Sequence, residues 1–224
     1  MPVTFPTPRL IIFDCDGVLV DSEPVSNQVM VDNLARNGLQ LTVARSMELF
    51  VGSTMARAMD KAIALGADLH DGWIEEVYAE TYAALKAGVD LVPGVSDLLA
   101  LLDQNDIPSC VASNGSEDKM RITLGQNGLW QRFHPNAMFS AHALGVAKPD
   151  PGLFLAAASH FGLQARDCLV VEDSATGALA AARAGMRCLG YANEGDGEKL
   201  AAEGAEVFRS MSEVPRLIGL EAFD

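Results

Sequence analysis

The segment Asp14-Cys15-Asp16-Gly17-Val18-Leu19-Val20-Asp21-Ser22 sets two carboxylates two residues apart, directly after the apolar run Leu10-Ile11-Ile12-Phe13. Acids this close can share a reacting group, and they repel each other unless a cation binds or one takes a proton. Asp-x-Asp-Gly is also ordinary turn chemistry, so alone it decides little. A second segment, Ser113-Asn114-Gly115, precedes a helix opening with Ser116, Glu117 and Asp118. A hydroxyl at a strand tip, with the N–H groups of Asn114 and Gly115 leading into a helix, makes an anion site; a plain helix cap by Ser116 would read the same way. In Lys148-Pro149-Asp150-Pro151 a lone lysine precedes a rigid turn, with Asp150 as cap and Pro151 as first helical residue. A loop lysine is usually a solvated charge, but this one stands where the other segments stand. Finally, Leu169-Val170-Val171 runs into Glu172-Asp173, and adjacent acids raise the free energy unless they bind something. With Asp14 and Asp16 they form an oxygen-rich set suited to Mg²⁺ rather than a soft metal.

These segments need strands to carry them. Leu10–Asp14, Pro108–Ser113, Ala137–Ser140, Cys168–Glu172 and Met186–Gly190 read as near-continuous apolar strands. Val95–Gln104, Glu117–Gln126, Pro151–Phe161 and Ala175–Ala184 read as helices between them. Such alternation predicts a doubly wound α/β domain, a Rossmann-like parallel sheet covered on both faces. In such sheets ligands bind beyond the carboxyl ends of the strands, where all four segments fall. Between the first strand and Pro93 the pattern is helical: Ser22 can cap a helix with Pro24 in its first turn, Val25, Val29 and Leu34 share a face, and Gly38 can end it. Asp71–Ala87 repeats the pattern. The expected organisation is a core domain over 1–22 and 92–224, with an inserted all-helical cap domain over 23–91.

Together the four segments resemble the haloacid dehalogenase superfamily, in particular its capped phosphatases related to β-phosphoglucomutase, with bacterial sugar-phosphate phosphatases of the 6-phosphogluconate type nearest. The resemblance implies that Asp14 is a nucleophile carrying the phosphoryl group as an aspartyl-phosphate. It implies that Asp16 protonates the leaving oxygen and then activates water, and that Ser113 and Lys148 hold phosphoryl oxygens. Mg²⁺ would be held by Asp14, the main-chain carbonyl of Asp16 and Asp173, with Glu172 in or beside that shell. The Lys148-Pro149 bond is often cis in relatives. Haloacid dehalogenases and phosphonatases lack an acid where Asp16 stands, which disfavours both activities. The mutases carry a His and an Arg where this chain has Ser26 and Met55, and neither can bind a second phosphate. The family's cap closes over the site and selects the leaving group; Gly52, Ser53 and Thr54 are the candidate specificity loop, with Arg57 and Lys61 beyond it as either binders or a solvated helix face.

Composition agrees with a small-molecule enzyme. The 224 residues carry 16 Lys+Arg against 30 Asp+Glu, a net charge of −14, which disfavours nucleic acid as a partner. A hydrophobic fraction of 49% with 21% charged residues argues against disorder. Apolar runs fall far short of the roughly 18 residues that cross a bilayer, and Asp14 interrupts the first of them, so neither a membrane span nor a signal peptide is expected. Cys15, Cys110, Cys168 and Cys188 lack metal-finger or paired spacing and read as core thiols. The four histidines fall outside every motif. The expectation is a cytoplasmic, Mg²⁺-dependent phosphatase acting on a small sugar or sugar-acid phosphate ester, as a monomer or homodimer. A phosphoglucomutase-type mutase and a non-catalytic phosphometabolite-binding module are the alternatives.

Overall fold

Residues 6–50, 54–193 and 195–220 are described by the structure, a computed structural model. The chain divides into two compact units, residues 1–21 with 91–224, and residues 22–90.

The first unit opens with β1 (Leu10–Phe13). The second unit then supplies α1 (Glu23–Arg36), α2 (Val43–Phe50), α3 (Met55–Ala64) and α4 (Trp73–Ala87). Back in the first unit follow α5 (Val95–Gln104), β2 (Ser109–Ser113), α6 (Glu117–Gln126), α7 (Leu129–Phe133), β3 (Met138–Ser140), α8 (Ala141–Leu144) and α9 (Gly152–His160). The chain continues through β4 (Cys168–Glu172), α10 (Ala175–Ala184), β5 (Arg187–Tyr191), α11 (Glu198–Ala202), β6 (Glu206–Phe208) and α12 (Val214–Leu217). All six strands pair in parallel in the order β3-β2-β1-β4-β5-β6. The winding direction therefore reverses between β1 and β4, the switch point at whose carboxyl ends open parallel sheets bind their ligands.

Alternation along the strands explains the burial. Leu10, Ile12, Cys110, Ala112, Val170 and Cys188 pack on one face against Leu153, Phe154 and Ala157 of α9 and Ala178 and Ala181 of α10. The alternate residues Ile11, Phe13, Val111, Leu169, Val171 and Leu189 are buried as well, so both faces are covered. All four cysteines are free and buried. The strand β6 was not anticipated from sequence; at three residues it carries no period of its own, and pairing with β5 defines it.

In the second unit Met30, Leu34, Phe50, Ala58, Ala62, Trp73 and Val77 form a core of their own. Helix α1 starts at Glu23 with Pro24 in its first turn, and Gly38, at φ +85°, turns the chain past its end. Ser22 occupies the N-cap position but makes no capping hydrogen bond, because its backbone there is already helical. Among the described residues no helix is long and apolar enough to cross a membrane.

Candidate active site

Asp14 is the first residue beyond β1, and its N–H donates to the Val171 carbonyl at 2.9 Å, extending the β1–β4 ladder by one bond. The chain then folds back: Leu19 N and Val20 N both donate to the Cys15 carbonyl at 3.0 Å, and Gly17 N donates to the Val20 carbonyl at 2.8 Å. Gly17 is required twice over. Its φ is +76°, and a Cβ there would lie 2.0 Å from Asp173 Oδ2. The missing side chain is what lets the acid beyond β4 reach the loop beyond β1.

Lys148 lies between the acids of the two strands. Its Nζ donates to Asp14 Oδ1 at 2.5 Å and to Glu172 Oε1 at 2.6 Å, and sits 5.0 Å from the Phe154 ring centroid. Asp14, Lys148 and Glu172 are all buried. Burial pushes the Asp14 carboxyl up to about 7; Lys148 opposes the shift, while Glu172 and Asp16 add to it. Burial also works against the Lys148 ammonium, but Asp14 and Glu172 outweigh it and raise that pKa. The other Glu172 oxygen accepts from Asp173 N at 3.0 Å and from Ser174 N and Oγ at 2.9 Å. Room for this carboxylate comes from Gly177, where a Cβ would fall 1.8 Å from Oε1. Glu172 is thus engaged through both oxygens in holding Lys148 and the turn into α10.

The loop carrying Lys148 is fixed from behind. Asn114 Oδ1 accepts from Lys148 N at 2.9 Å, Asn114 Nδ2 donates to the Lys148 carbonyl at 3.4 Å, and the Lys148-Pro149 bond is cis. The Asn114 side chain therefore anchors the lysine. Pro151 takes the N-cap position of α9 rather than its first helical one, and Asp150 Oδ1 accepts from Gly152 N at 2.8 Å in the turn before the helix.

Ser113 ends β2, and its Oγ accepts from Gly115 N at 3.0 Å; the Gly115 carbonyl accepts from Ser140 Oγ at 2.8 Å. Ser116 Oγ accepts from Lys119 N at 3.2 Å and caps α6. Asp16 lies against this loop: a Cβ on Gly115 would be 3.2 Å from Ser113 Oγ and 3.7 Å from Asp16 Oδ2. Sequence reading missed Lys119, whose Nζ is 2.8 Å from Asp16 Oδ2. Burial disfavours its ammonium, but Asp16 outweighs that and raises the pKa. A signal was present: acids suit the first turn of a helix, as Glu117 and Asp118 do, whereas a lysine there opposes the helix dipole and needs another reason.

Asp14, Lys148 and Glu172 are thus brought together, with Asp16 set against the Ser113–Gly115 turn and Asp173 against Gly17. Among the described residues no three His, Cys, Asp or Glu side chains converge as a ready metal cluster. The chemistry fits a hard divalent cation: the side-chain donors gathered at the strand tips, Asp14, Asp16, Glu172 and Asp173, are all oxygen, and the two ammonium groups there, Lys148 and Lys119, reach the first three. Gly52 and Ser53 lie outside the described residues. Thr54 caps α3 by accepting from Arg57 N at 3.3 Å, and Lys61 Nζ donates to the Leu49 carbonyl at 3.0 Å. At the two mutase positions, Ser26 Oγ donates to the Ser22 carbonyl at 2.9 Å and Met55 packs on the second unit's core.

A model of the haloacid dehalogenase-like hydrolases matches residues 8–185. Among curated proteins, 6-phosphogluconate phosphatase of Escherichia coli is 28% identical over 96% of this chain and 96% of its own. Phosphoglycolate phosphatase 1 of Pseudomonas aeruginosa is 31% identical over 81% of this chain and 68% of its own. Among solved structures, a haloacid dehalogenase-like protein from Agrobacterium tumefaciens has a TM-score of 0.85 and 33% identity over 94% of this chain and 97% of that one. A greasy strand that ends in a buried, lysine-paired aspartate at the switch point of a parallel sheet, together with these matches, makes this chain a member of the haloacid dehalogenase-like hydrolases.

Proposed function

We propose that this chain hydrolyses a small phosphate monoester, a sugar or sugar-acid phosphate, through an aspartyl-phosphate on Asp14. The observation that carries the reading is the Asp14–Lys148–Glu172 triad: a nucleophile candidate buried beside a fixed cation at the carboxyl end of β1. The relatives named for 6-phosphogluconate and phosphoglycolate support a small ester as substrate.

In the first step a carboxylate oxygen of Asp14 bonds to phosphorus as the bond to the ester oxygen breaks, and Asp16 gives that oxygen its proton. In the second, Asp16 takes a proton from the water that attacks the same phosphorus, and Asp14 is released. Lys148 and Ser113 hold phosphoryl oxygens, where charge accumulates in the transition state. Glu172 keeps Lys148 in place, and Asn114 keeps its backbone in register. Asp14, the Asp16 carbonyl and Asp173 would hold Mg²⁺. Bound there, the cation offsets repulsion between an anionic nucleophile and an anionic ester. A phosphatase is favoured over a mutase because Ser26 and Met55 offer a second phosphate neither charge nor a free donor array.

Phosphate release from sugar phosphates, sugar-acid phosphates, phosphoglycolate and nucleotides tests the proposal. Turnover is expected with Mg²⁺, to stop under chelation, and to be supported poorly by Ca²⁺ with its larger, looser shell. Binding of these esters without release would establish the non-catalytic module instead, and full activity in excess chelator would reject the metal.

A further inference from the structure

The loop after β1 places two acids where one cation, Lys148, could attract both. The structure gives each its own: Lys148 holds Asp14, and Lys119 holds Asp16 at 2.8 Å. We infer that Lys119 is a positioning residue that keeps the Asp16 carboxyl against the tip of β2, apart from Asp14 and Lys148, in the orientation from which it serves the leaving oxygen. The inference rests on the reading of Asp16 as the acid–base group.

Three observations carry it. The pair is not a surface contact, since its side chains are only 22% and 24% exposed; exposed pairs hold geometry weakly. The Lys119 backbone is locked by the Ser116 cap. One turn further along α6, Thr123 Oγ1 donates to the Lys119 carbonyl at 3.2 Å and lies 3.9 Å from Cys15 Sγ, so residues 119 and 123 grip the consecutive loop residues 16 and 15. A helix is thereby tied to the acid at two points, and its N-terminal lysine faces the acid rather than solvent.

Misplacing a general acid harms substrates in proportion to their need for a proton. Alkyl phosphates expel a strongly basic oxygen and need it, whereas 4-nitrophenyl phosphate expels a stabilised phenolate and does not. The test measures kcat and KM of wild type, Lys119→Met, Lys119→Gln and Lys119→Arg on 4-nitrophenyl phosphate and on an alkyl phosphate that the wild type cleaves, with Mg²⁺ present. For Lys119→Met we expect kcat/KM, which reports the steps through departure of the leaving group, to fall about 10–10²-fold on the alkyl ester with little change on the aryl ester, and substantial rescue in Lys119→Arg. The water step is common to both esters, so any loss there lowers kcat on both alike. In an Asp16→Asn background the Lys119→Met change should add nothing on the alkyl ester. Should Lys119→Met fail to fold, Lys119→Gln, which keeps a donor but not the charge, carries the same comparison. Equal losses of kcat/KM on both esters, or no loss on either, overturn the inference. A raised KM with kcat intact on both esters overturns it too, marking Lys119 as a substrate contact. An Asp16→Asn variant that cleaves the alkyl ester at the wild-type rate would instead remove the acid–base reading beneath it, a failure visible without any change at Lys119.

Discussion

Two buried polar clusters in this molecule are built on opposite principles. In the inserted unit, Asn33 is fully buried and every polar atom of its amide is met. Its Oδ1 accepts from Trp73 Nε1 at 2.6 Å and from Asn37 Nδ2 at 3.1 Å, while its Nδ2 donates to Glu76 at 2.9 Å and Glu80 at 3.2 Å. The ionisable groups of that cluster, Glu76, Glu80, Arg36 and His70, stay at the rim. At the strand tips the ions themselves are inside, and Asp14 shares one ammonium with Glu172 while Asp16 stands close by. A satisfied neutral amide contributes to stability. Buried ion pairs roughly break even, and an excess of like charge does worse. The first cluster ties α1 to α4; under the proposed function the second is tolerated because its surplus negative charge is the reagent.

Substituting one member of each cluster should separate the two roles. Asp14→Asn is expected to reduce turnover by about 10⁴-fold or more, as for loss of a nucleophile, while thermal unfolding of the metal-free protein is unchanged or shifted upward. A neutral amide removes repulsion from Glu172 and Asp16 and leaves Lys148 its second acid. Wild-type turnover in that variant would dissolve the comparison. Asn33→Ala should behave in reverse: it strands the Trp73 N–H, and denaturant titration should show a loss of about 1–3 kcal/mol with turnover per folded molecule retained. A stability loss too small to measure would show that the amide is not what joins those helices. The exposed Asp103–Arg132 pair sets the baseline. Its two bonds of 2.6 and 2.7 Å hold the Asp103 carboxyl below its ordinary range. Asp103→Asn should lower stability by under about 1 kcal/mol. Because the folded pKa is depressed, that difference should be present above the ordinary carboxylate range near 4 and vanish as pH falls through the folded value.

The strands that carry the chemistry were legible because buried parallel strands write themselves as unbroken apolar runs. Leu10–Phe13 and Cys168–Glu172 need no context to be recognised, and the acids that interrupt them mark the strand ends. Strand β6 was not legible, since three residues at a sheet edge have no period and exist only by pairing with β5. Within the site, Asp14, Lys148 and Glu172 could be named in advance. Lys119 could not be placed, because its partner is 103 positions away in numbering and reaches it only through the parallel register of β1 and β2. The sequence points to the backbone N–H of Asn114 as part of an anion site; that its side-chain amide also holds the Lys148 backbone, across 34 residues, is set by packing alone.

Sequence alone determined the elements, their alternation and which residue types could react, since periodicity and local composition are properties of neighbours along the chain. Which acid received which cation, and which polar side chains became supports, was decided only when the sheet brought distant loops together. Electrostatic and hydrogen-bond energies depend on separations of a few ångströms, and those separations come from packing.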